Sequence, residues 1–457
     1  MISPLDDRYR ELVRELDDIF SEENYVSERV FYEKEWLVFL LERIPELKGN
    51  FKNSLDFIVR TIRKTSVDYD LVKQIETKGY KDIKPTNHDV KAIEIALRIR
   101  LREKLENQGF EGLEKILSYI HFGITSEDID NIAIATMLKK GTKVLTENLD
   151  DIIKKMDFFA KKYSDVVMLS RTHGQIASPT TLGKEFRNYC ERLQEQNDKL
   201  KAQDYKVKFS GSTGNFNAFY YALPNIDWLK ISKEFVEGFG FKFNLYSTQK
   251  EPNDSQAELF QNIMRINNIL LDFSINVWNY ISIGYLSLIK TSDVGSSVMP
   301  HKTNPIDFEN AEGNLGIANS LFDFFSNKVV LSRYQRDLSD STVKRNYGLA
   351  YGHSLLAYKK ILSGLEKIVV NEKKINNELN QHAEVLAEPI QTKLRTLGYY
   401  NAYEILREKT QGRTLKIKKF REIIKGLDIP ENLKREFLKL EPKDYFGIAD
   451  KIAKNEF

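Results

Sequence analysis

Apolar side chains between Pro252 and Pro300 recur at alternating spacings of four and three residues, which predicts one stripe along several turns of an α-helix. The stripe consists of Leu259, Ile263, Ile266, Leu270, Phe273, Val277 and Tyr280. Apolar side chains on the other faces are Ile269, Leu271, Trp278 and Ile281. A helix that is apolar nearly all round is enclosed by partners on several sides, and this pattern favours self-association.

Prolines divide the rest of the chain into long segments that helices can occupy. None lies between Pro85 and Pro179, nor between Pro305 and Pro389, and a proline inside a helix removes a hydrogen bond and clashes with the preceding turn. Strand signals are few, and 165–170 and 210–217 fit turns or small hairpins. We predict a mainly α fold.

Breaks in the helical pattern near 112 and 365 divide the sequence into three predicted domains. These are 1–112, an N-terminal helical domain; 113–365, a central domain of long helices; and 366–457, a C-terminal helical domain. The length of 457 residues exceeds one ordinary core and fits two or three domains. The Lys- and Glu-rich stretch 414–457 is predicted to be a solvated surface.

Charge and cysteine content narrow the functional classes. Lys plus Arg total 69 against 66 Asp plus Glu, so a net charge of +3 gives no field that favours nucleic acid or an anionic membrane. The single cysteine, Cys190, excludes an internal disulfide and suits a reducing compartment. No window approaches twenty uncharged apolar residues, and no secretory signal opens the chain. We expect a cytoplasmic protein with small-molecule partners.

The run Gly295-Ser-Ser-Val-Met-Pro-His-Lys-Thr-Asn-Pro305 concentrates reactive side chains in a segment that two prolines and a glycine keep out of helices and strands. Ordered loops of this kind often carry function. A Gly-Ser-Ser tripeptide alone would be ordinary turn material. The whole run, however, resembles the signature loop of the fumarase/aspartase superfamily, Gly-Ser-Ser-x-Met-Pro-x-Lys-x-Asn. His301 after Met-Pro is typical of its adenylosuccinate lyase branch.

Three further motifs point the same way. Leu169-Ser-Arg-Thr-His-Gly-Gln175 places His173, a side chain that transfers protons near neutral pH, beside a glycine; a lone histidine would more often be structural. Gly123–Asn131 contains Thr125 and Ser126, which fit both an N-cap and a helix-terminus cradle for an anion. Asn87, His88 and Asp89 open another helical stretch, where capping alone explains Asn and Asp. All three strings resemble motifs of the same branch.

Distal stretches extend the resemblance from Pro4 to Thr392. Ser332–Asn346 and Glu384–Thr392 match long motifs of the branch, and guanidinium and hydroxyl groups suit phosphate and ribose oxygens; a polar helix face with ion pairs is the alternative. The opening Ser3–Tyr9 resembles the family's first motif, with Asp7 where glycine is usual. The resemblance implies substrate binding by Arg8, Tyr9, Asn87, His88, Asp89, Thr125, Ser126, Gln249, Lys302, Asn304, Asn310, Arg336, Ser341, Thr342, Val343, Lys344 and Arg345.

The family likeness implies a three-domain, fumarase/aspartase-like fold with a central long-helix bundle and a homotetramer with composite active sites. It also implies β-elimination of fumarate from adenylosuccinate, giving AMP, and from the succinyl-aminoimidazole-carboxamide ribotide SAICAR, giving AICAR. We assign the general base to Ser296, with Ser297 as an open alternative, and the general acid to His173. Lys302 and Asn304 would stabilise the carbanion. No cofactor or metal is expected.

Two alternatives compete with this interpretation. Another lyase of the superfamily, such as argininosuccinate lyase, aspartase or fumarase, would keep the loop and change the pocket; His301 and the 336–345 stretch argue against it. A non-catalytic helical scaffold is the alternative from another class, because fold alone does not establish function. Intact His173, Ser296 and Lys302 argue against the scaffold.

Overall fold

The computed structural model describes residues 2–107, 110, 112–289, 299 and 301–457, and α-helices dominate it. The helices are α1 Arg10–Val13, α2 Asp17–Phe20, α3 Glu22–Arg43, α4 Pro45–Asn50, α5 Leu55–Lys64, α6 Tyr69–Thr77, α7 Asp89–Glu106, α8 Leu113–Leu117, α9 Ser126–Lys162, α10 Leu182–Lys201, α11 Asn217–Ala222, α12 Trp228–Gly238, α13 Asp254–Ser282, α14 Ile306–Lys328, α15 Ser339–Lys344, α16 Tyr347–Lys367, α17 Glu372–Leu379, α18 Ala387–Thr396, α19 Ala402–Thr410, α20 Ile417–Lys425, α21 Glu431–Phe437 and α22 Ala449–Lys454. The mainly α prediction is confirmed.

Short strands and 3-10 helices connect the helices. The strands are β1 Val167–Thr172, β2 Gln175–Thr181, β3 Lys206–Val207, β4 Lys242–Phe243, β5 Leu286–Leu288 and β6 Ile368–Val370, and the 3-10 helices are Pro4–Asp6, Arg14–Leu16, Ala383–Leu386 and Pro442–Asp444. β1 and β2 form the small hairpin predicted around 165–170. Residues 210–216 form turns and irregular loop. None of the helices in the described ranges is long and apolar enough to cross a membrane.

The predicted apolar stripe lies on α13. Leu259, Ile263, Ile266 and Leu270 are 0% exposed, and Phe273 and Val277 are 2% exposed. On the other faces Ile269 is buried, whereas Trp278 is 45% exposed in the single chain. The 4,3 spacing therefore identified the core face correctly, whereas the described residues leave Trp278 partly exposed on another face.

The chain packs as two compact units. The first unit contains 1–147, 198–265 and 316–356, and the second contains 148–197, 266–315 and 357–457. The divisions fall inside α9, α10, α13, α14 and α16, so each unit includes parts of these long helices.

Aromatic packing holds the first unit together. Trp36 of α3 is 0% exposed and packs edge-on against Phe209, Phe219 and Phe235, with ring centroids 4.9, 6.1 and 5.1 Å away. Such aromatic pairs add about 0.5–1.5 kcal/mol each beyond the burial of their area. This core supports the loops at 121–125 and 208–216, because the Trp36 indole N–H also donates to the carbonyl of Phe122 at 3.0 Å.

Two paired-strand elements shape the second unit. β1 and β2 are antiparallel, with Thr172 opposite Gln175 and a register shift between Leu169 and Arg171. β5 pairs antiparallel with β6, with Leu286 opposite Val370. A separate apolar cluster of buried residues from the C-terminal helices includes Leu386, Ile390, Leu406, Phe420 and Ile424.

Candidate active site

Thr125 and Ser126 lie at the start of α9 in the first unit, as the sequence predicted for a helix N-terminus. The backbone N–H of Thr125 donates to Asp128 Oδ2 at 2.8 Å, and the N–H of Asp128 donates to the carbonyl of Thr125 at 2.9 Å. This reciprocal pairing satisfies orphan donors of the first turn. Gly123 precedes it with φ +73°, and a Cβ there would lie 2.4 Å from the ring of Phe219, so the approach to the helix requires glycine.

A buried ion pair fixes that helix start. Asp128 and Lys208 both have side chains that are 0% exposed, and Lys208 Nζ lies 2.8 Å from Asp128 Oδ1. Lys208 Nζ also donates to the carbonyls of Gly211 and Gln249, at 2.7 and 3.0 Å. Asp128 in turn accepts from the backbone N–H groups of Ser210 and Gly211. The network fixes the Thr125 motif against the loops that contain 208–211 and 249.

Glu127, the next acidic residue of α9, connects that motif to the 336–345 stretch. Its carboxylate is 2% exposed and accepts from Arg336 and, at 3.1 Å, from Lys344 Nζ. Lys344 also lies 2.9 Å from Asp340 Oδ2. Burial alone would raise the pKa of Asp340, but the charges of Lys344 and Arg336 hold it below its usual value. Two of the motifs therefore meet around one buried carboxylate.

Asp89 connects the third motif to the same stretch. Asp89 Oδ2 accepts from Arg345 Nη2 at 2.7 Å and from Arg29 Nη1 at 2.7 Å. Burial would raise the pKa of Asp89, but the charges and hydrogen bonds of Arg29 and Arg345 lower it to about 2. Arg345 Nη1 also donates to Ser341 Oγ at 2.5 Å, and the Arg345 side chain remains 34% exposed. Its guanidinium is thus oriented and still accessible to a ligand.

Asn87 and His88 form the turn that leads into α7. Asn87 has φ +48°, a conformation that asparagine tolerates better than most residues. His88 is the N-cap of α7, and its Nδ1 accepts from the N–H of Lys91 at 3.3 Å. Accepting at Nδ1 places the proton of a neutral imidazole on Nε2. The His88 side chain is 52% exposed, and its binding role stays a prediction.

Gln249 and the N-terminal pair occupy other loops of the first unit. Gln249 Nε2 donates to the carbonyl of Ser212 at 3.0 Å. The guanidinium of Arg8 lies 5.5 Å from the ring centroid of Tyr9. Asp7, where the family motif has glycine, is the C-cap residue of the 3-10 helix Pro4–Asp6.

Arg345 also lines a cavity of about 280 Å³ in the first unit. Its lining combines apolar side chains with Arg345 and three other polar residues. The lining residues are Leu5, Asp6, Val13, Leu16, Asp17, Phe20, Ser21, Arg345, Gly348, Leu349 and Gly352. Its lining residues Leu5, Asp6 and Val13 flank the predicted binding residues Arg8 and Tyr9 in the sequence.

Within the 341–345 segment the side chains differ in accessibility. Val343 is 7% exposed and Lys344 is 5% exposed, whereas Thr342 is exposed. The ammonium of Lys344 is engaged by Glu127 and Asp340. Ser341, Thr342 and Arg345 are thus more accessible to a ligand than Val343 and Lys344, and the binding roles of all five stay predictions.

His173 lies in the second unit at the tip of the β1–β2 hairpin. His173 and Gly174 have φ +53° and +72° and connect the paired residues Thr172 and Gln175. Two consecutive positive φ angles are typical of the two-residue turns that match the twist of a hairpin. His173 is exposed, so its imidazole can reach a substrate.

Of the predicted loop residues, Lys302 and Asn304 belong to the second unit. Ser296 and Ser297 lie outside the described residues. Lys302 is exposed, and its N–H donates to the carbonyl of Met299 at 3.2 Å. Asn304 precedes α14, and Asn310 on that helix accepts from Asn314 Nδ2 at its carbonyl and side-chain oxygens, at 2.8 and 3.1 Å.

A carboxylate near the start of α14 anchors the end of this loop. Asp307 lies 2.6 Å from Lys367 Nζ and 3.1 Å from Lys360 Nζ, both on α16. Burial would raise the pKa of Asp307, but the two lysines lower it. This double ion pair fixes α14 a few residues after Lys302 and Asn304.

Two candidate residues escaped the sequence interpretation. Arg29 on α3 is buried between Asp89 and Asp130, 2.7 and 3.4 Å away. His121, four residues before Thr125, pairs with the buried Glu33 at 2.5 Å, and Glu33 raises the imidazole pKa although burial alone would lower it. One sequence signal could have indicated this region. Arg29 and Glu33 recur at helical spacing among the apolar residues of α3, which predicts charged side chains on a buried face.

Comparisons with known proteins agree over the whole chain. A family model described as "Lyase" matches residues 9–318, and one described as "Adenylosuccinate lyase C-terminal" matches 332–446. The adenylosuccinate lyase of Legionella pneumophila (strain Corby) is 42% identical over 461 residues, covering 99% of this chain and 98% of that protein. Those of Haemophilus influenzae and Escherichia coli K12 are 41% and 40% identical, covering 99% and 98% of this chain and 97% and 96% of theirs.

Solved structures share the fold. A fumarate lyase from Mesorhizobium sp. BNC1 superposes with a TM-score of 0.73 at 17% identity, covering 98% of this chain and 97% of the other. A 3-carboxy-cis,cis-muconate lactonizing enzyme from Pseudomonas putida gives 0.73 at 18% identity, with the same coverage. The fold and the first family model define the class, which is a helical lyase of the fumarase/aspartase superfamily. Within that class, the chain belongs to the adenylosuccinate lyases, a family of C–N lyases.

Proposed function

We propose that this protein cleaves adenylosuccinate to AMP and fumarate, and SAICAR to AICAR and fumarate, as a cytoplasmic enzyme of purine nucleotide biosynthesis. The whole-length identity of 40–42% to named adenylosuccinate lyases carries this proposal. The clustering of three sequence motifs around Glu127 and Asp89 supports a binding site for the nucleotide end of both substrates.

The reaction needs a base and an acid on opposite sides of the substrate. The base removes a proton from the carbon beside one carboxylate, the bond from the neighbouring carbon to nitrogen breaks, and the acid protonates the leaving nitrogen. We assign the base to Ser296 and the acid to His173. The exposed hairpin turn supports the second assignment, since it presents the imidazole to solvent.

The intermediate carbanion gains stability when its charge spreads into the adjacent carboxylate. Fixed donors that face this group lower the barrier, because they are already oriented when the charge develops. Lys302 and Asn304 are the proposed donors, and Gln249 and Asn310 are further proposed contacts. The anchoring of Asp307 by Lys360 and Lys367 favours a fixed position for the residues just before α14.

The phosphate and ribose of the substrates would bind to the cationic cluster of the first unit. Arg336 and Arg345 are oriented by Glu127 and Asp89, and oriented guanidinium groups suit phosphate oxygens. Ser341 adds a hydroxyl next to Arg345. We further propose that Arg8, Tyr9, Asn87, His88, Asp89, Thr125, Ser126, Thr342, Val343 and Lys344 contribute to the same binding region.

We also propose a homotetramer with composite active sites, built from domains 1–112, 113–365 and 366–457. Exposed apolar side chains on the long helices support self-association. They include Ile275 and Trp278 on α13 and Ile306, Ile317 and Phe324 on α14, between 37% and 54% exposed. No nucleic-acid or membrane partner is proposed, because the net charge is only +3. Sedimentation of a fully active monomer would refute the tetramer.

The test is fumarate release from adenylosuccinate, with argininosuccinate, aspartate and malate assayed in parallel. Release from adenylosuccinate alone is expected, and release from another substrate would place the protein in a different branch. The Ser296→Ala variant distinguishes an enzyme from a scaffold: we expect it to lose turnover while oligomer and melting temperature stay unchanged. Ser297→Ala is the matched control and tests which serine is the base.

A further inference from the structure

Arg171, Tyr285 and Glu378 form a three-residue contact network, here called the brace, at the strand that leads into the His173 turn. Arg171 on β1 donates from Nη2 to Glu378 Oε1 at 2.6 Å, and its guanidinium lies 5.1 Å from the ring centroid of Tyr285. Tyr285 is 0% exposed, and the side chains of Arg171 and Glu378 are 24% and 18% exposed. The guanidinium therefore has a carboxylate partner and an aromatic partner, and both fix its orientation.

The two partners of Arg171, Tyr285 and Glu378, lie in segments that are themselves fixed by hydrogen bonds or apolar packing. The carbonyl of Tyr285 accepts from the N–H of Asn371 at 2.9 Å, and Tyr285 directly precedes β5, which pairs with β6. Glu378 is on α17, where the neighbouring Leu379 packs with Leu169 of β1 in a small apolar cluster. Arg171 thus joins the hairpin to both α17 and the residue before β5.

The position of the brace in the sequence connects two parts of the proposed chemistry. Arg171 lies two residues before His173, the proposed acid. Tyr285 and β5 lead, further along the chain, to the 295–305 run with the proposed base and anion-stabilising side chains. The Arg171 guanidinium therefore contacts both Glu378 and Tyr285. Arg171 itself lies on β1, which leads to the proposed acid, and Tyr285 directly precedes β5, which leads to the 295–305 run.

Stability alone does not account for these residue types. Arg171 Nη1 is buried and has no hydrogen-bond partner within the described residues. An unsatisfied buried polar atom costs about 1–3 kcal/mol. Well-packed apolar side chains of similar volume are often as stable as a buried ion pair. A positional constraint explains the presence of an arginine at this site better than a gain in stability does.

We propose that Arg171 is a positioning residue for catalysis, which fixes β1 and with it His173 relative to Tyr285 and β5. This inference rests on the proposed function, because the position of His173 matters only if His173 transfers the proton. Arg171 itself makes no contact with substrate in this scheme. A displacement of about 1 Å in a reacting group can lower a rate by about 100-fold.

The first test replaces Arg171 by lysine, which keeps the charge and loses the planar fork and the stacking on Tyr285. The expected result is a fall in kcat for adenylosuccinate of about 10- to 100-fold, with KM and melting temperature close to those of the wild type. Glu378→Gln should lower kcat in the same direction, and it provides a second variant if Arg171→Lys folds poorly.

A matched control exists in the same unit. Arg192 Nη1 lies 3.1 Å from Asp272 Oδ2, and its guanidinium lies 5.5 Å from the ring centroid of Tyr189, so the local chemistry resembles that of the brace. Arg192→Lys should leave kcat unchanged, because Arg192 is on α10 and supports no predicted catalytic group. An equal fall in kcat for both variants would overturn the positioning role.

A double-mutant cycle asks whether Arg171 acts through His173. Arg171→Lys should cost little further activity in a His173→Asn background, because the group that it positions is already gone. A full additional loss would overturn the proposal, as would a wild-type kcat in Arg171→Lys alone. A wild-type protein that releases no fumarate from adenylosuccinate would instead overturn the proposed function, so the two failures are distinguishable.

Discussion

The predicted binding residues of the first unit and the predicted acid of the second unit are held in opposite ways. Around Glu127 and Asp89, charged side chains are buried or partly buried and joined by ion pairs of known geometry. His173 instead lies exposed on a two-residue turn, and its place depends on the strands behind it. We infer that changes in the first region affect stability together with binding, whereas changes at the hairpin tip affect turnover alone.

The largest expected effect comes from His173→Asn. Asparagine suits the φ of +53° and a two-residue turn, so the hairpin should keep its shape. Loss of the general acid should lower kcat by about 100- to 10,000-fold. The free energy of unfolding should change by less than about 0.5 kcal/mol, as for other surface substitutions. Steady-state kinetics and chemical denaturation measure the two effects separately.

Lys81→Asn is the control for backbone conformation. Lys81 has φ +51° in a two-residue turn closed by reciprocal hydrogen bonds between the backbones of Tyr80 and Ile83. This substitution should change neither kcat nor stability. If His173→Asn retained wild-type kcat, the acid would have to be another group, and the contrast between the two regions would fail.

The next largest effect tests the opposite side of the contrast. Lys208→Met leaves the carboxylate of Asp128 buried without its cation, since both side chains are 0% exposed. Breaking a buried ion pair by removing one partner costs about 3–5 kcal/mol. The midpoint of denaturation should therefore fall strongly, and the KM for adenylosuccinate should rise because the start of α9 is no longer fixed.

Lys206→Met is the matched control for Lys208→Met. Lys206 lies two residues before Lys208, on β3, and it is only partly buried. It should change the free energy of unfolding by less than about 0.5 kcal/mol. Similar denaturation midpoints for Lys208→Met and the wild type would show that this region is not stabilised by its buried charges.

Sequence patterns predicted the long helices better than the charged cluster. The 4,3 stripe of 259–280 depends on neighbours within one helix, so a single sequence contains the information. The Glu127–Lys344 pair joins residues 217 positions apart, and Arg29 meets Asp89 from 60 positions away. No local pattern specifies such pairings, and charged residues within a helix are usually solvated. The motif resemblance identified Thr125, Asp89 and Arg345 as candidates, but not Glu127, whose carboxylate orients Arg336.

The smallest expected effect is a pH dependence of stability at Asp89. The folded-state pKa is about 2, below the ordinary value of 3.8, because Arg29 and Arg345 outweigh the effect of burial. A lowered folded-state pKa contributes stability that is complete above the unfolded-state pKa and is lost as the pH falls through the folded-state value. The shift corresponds to about 2 kcal/mol, lost between about pH 4 and pH 2. The difference in unfolding free energy between wild type and Asp89→Asn should shrink over this range.

Asp307→Asn gives the matched variant in the second unit, because Lys367 and Lys360 lower the pKa of Asp307 against the effect of burial. Its difference from wild type should therefore shrink with falling pH in the same direction. Only Asp89→Asn should also weaken substrate binding, because the carboxylate of Asp89 orients the guanidinium of Arg345. A stability difference for Asp89→Asn that stays constant down to pH 2 would mean that Arg29 and Arg345 do not hold its carboxylate ionised. The contrast would then lose its electrostatic basis, because the first region would no longer be organised by paired charges.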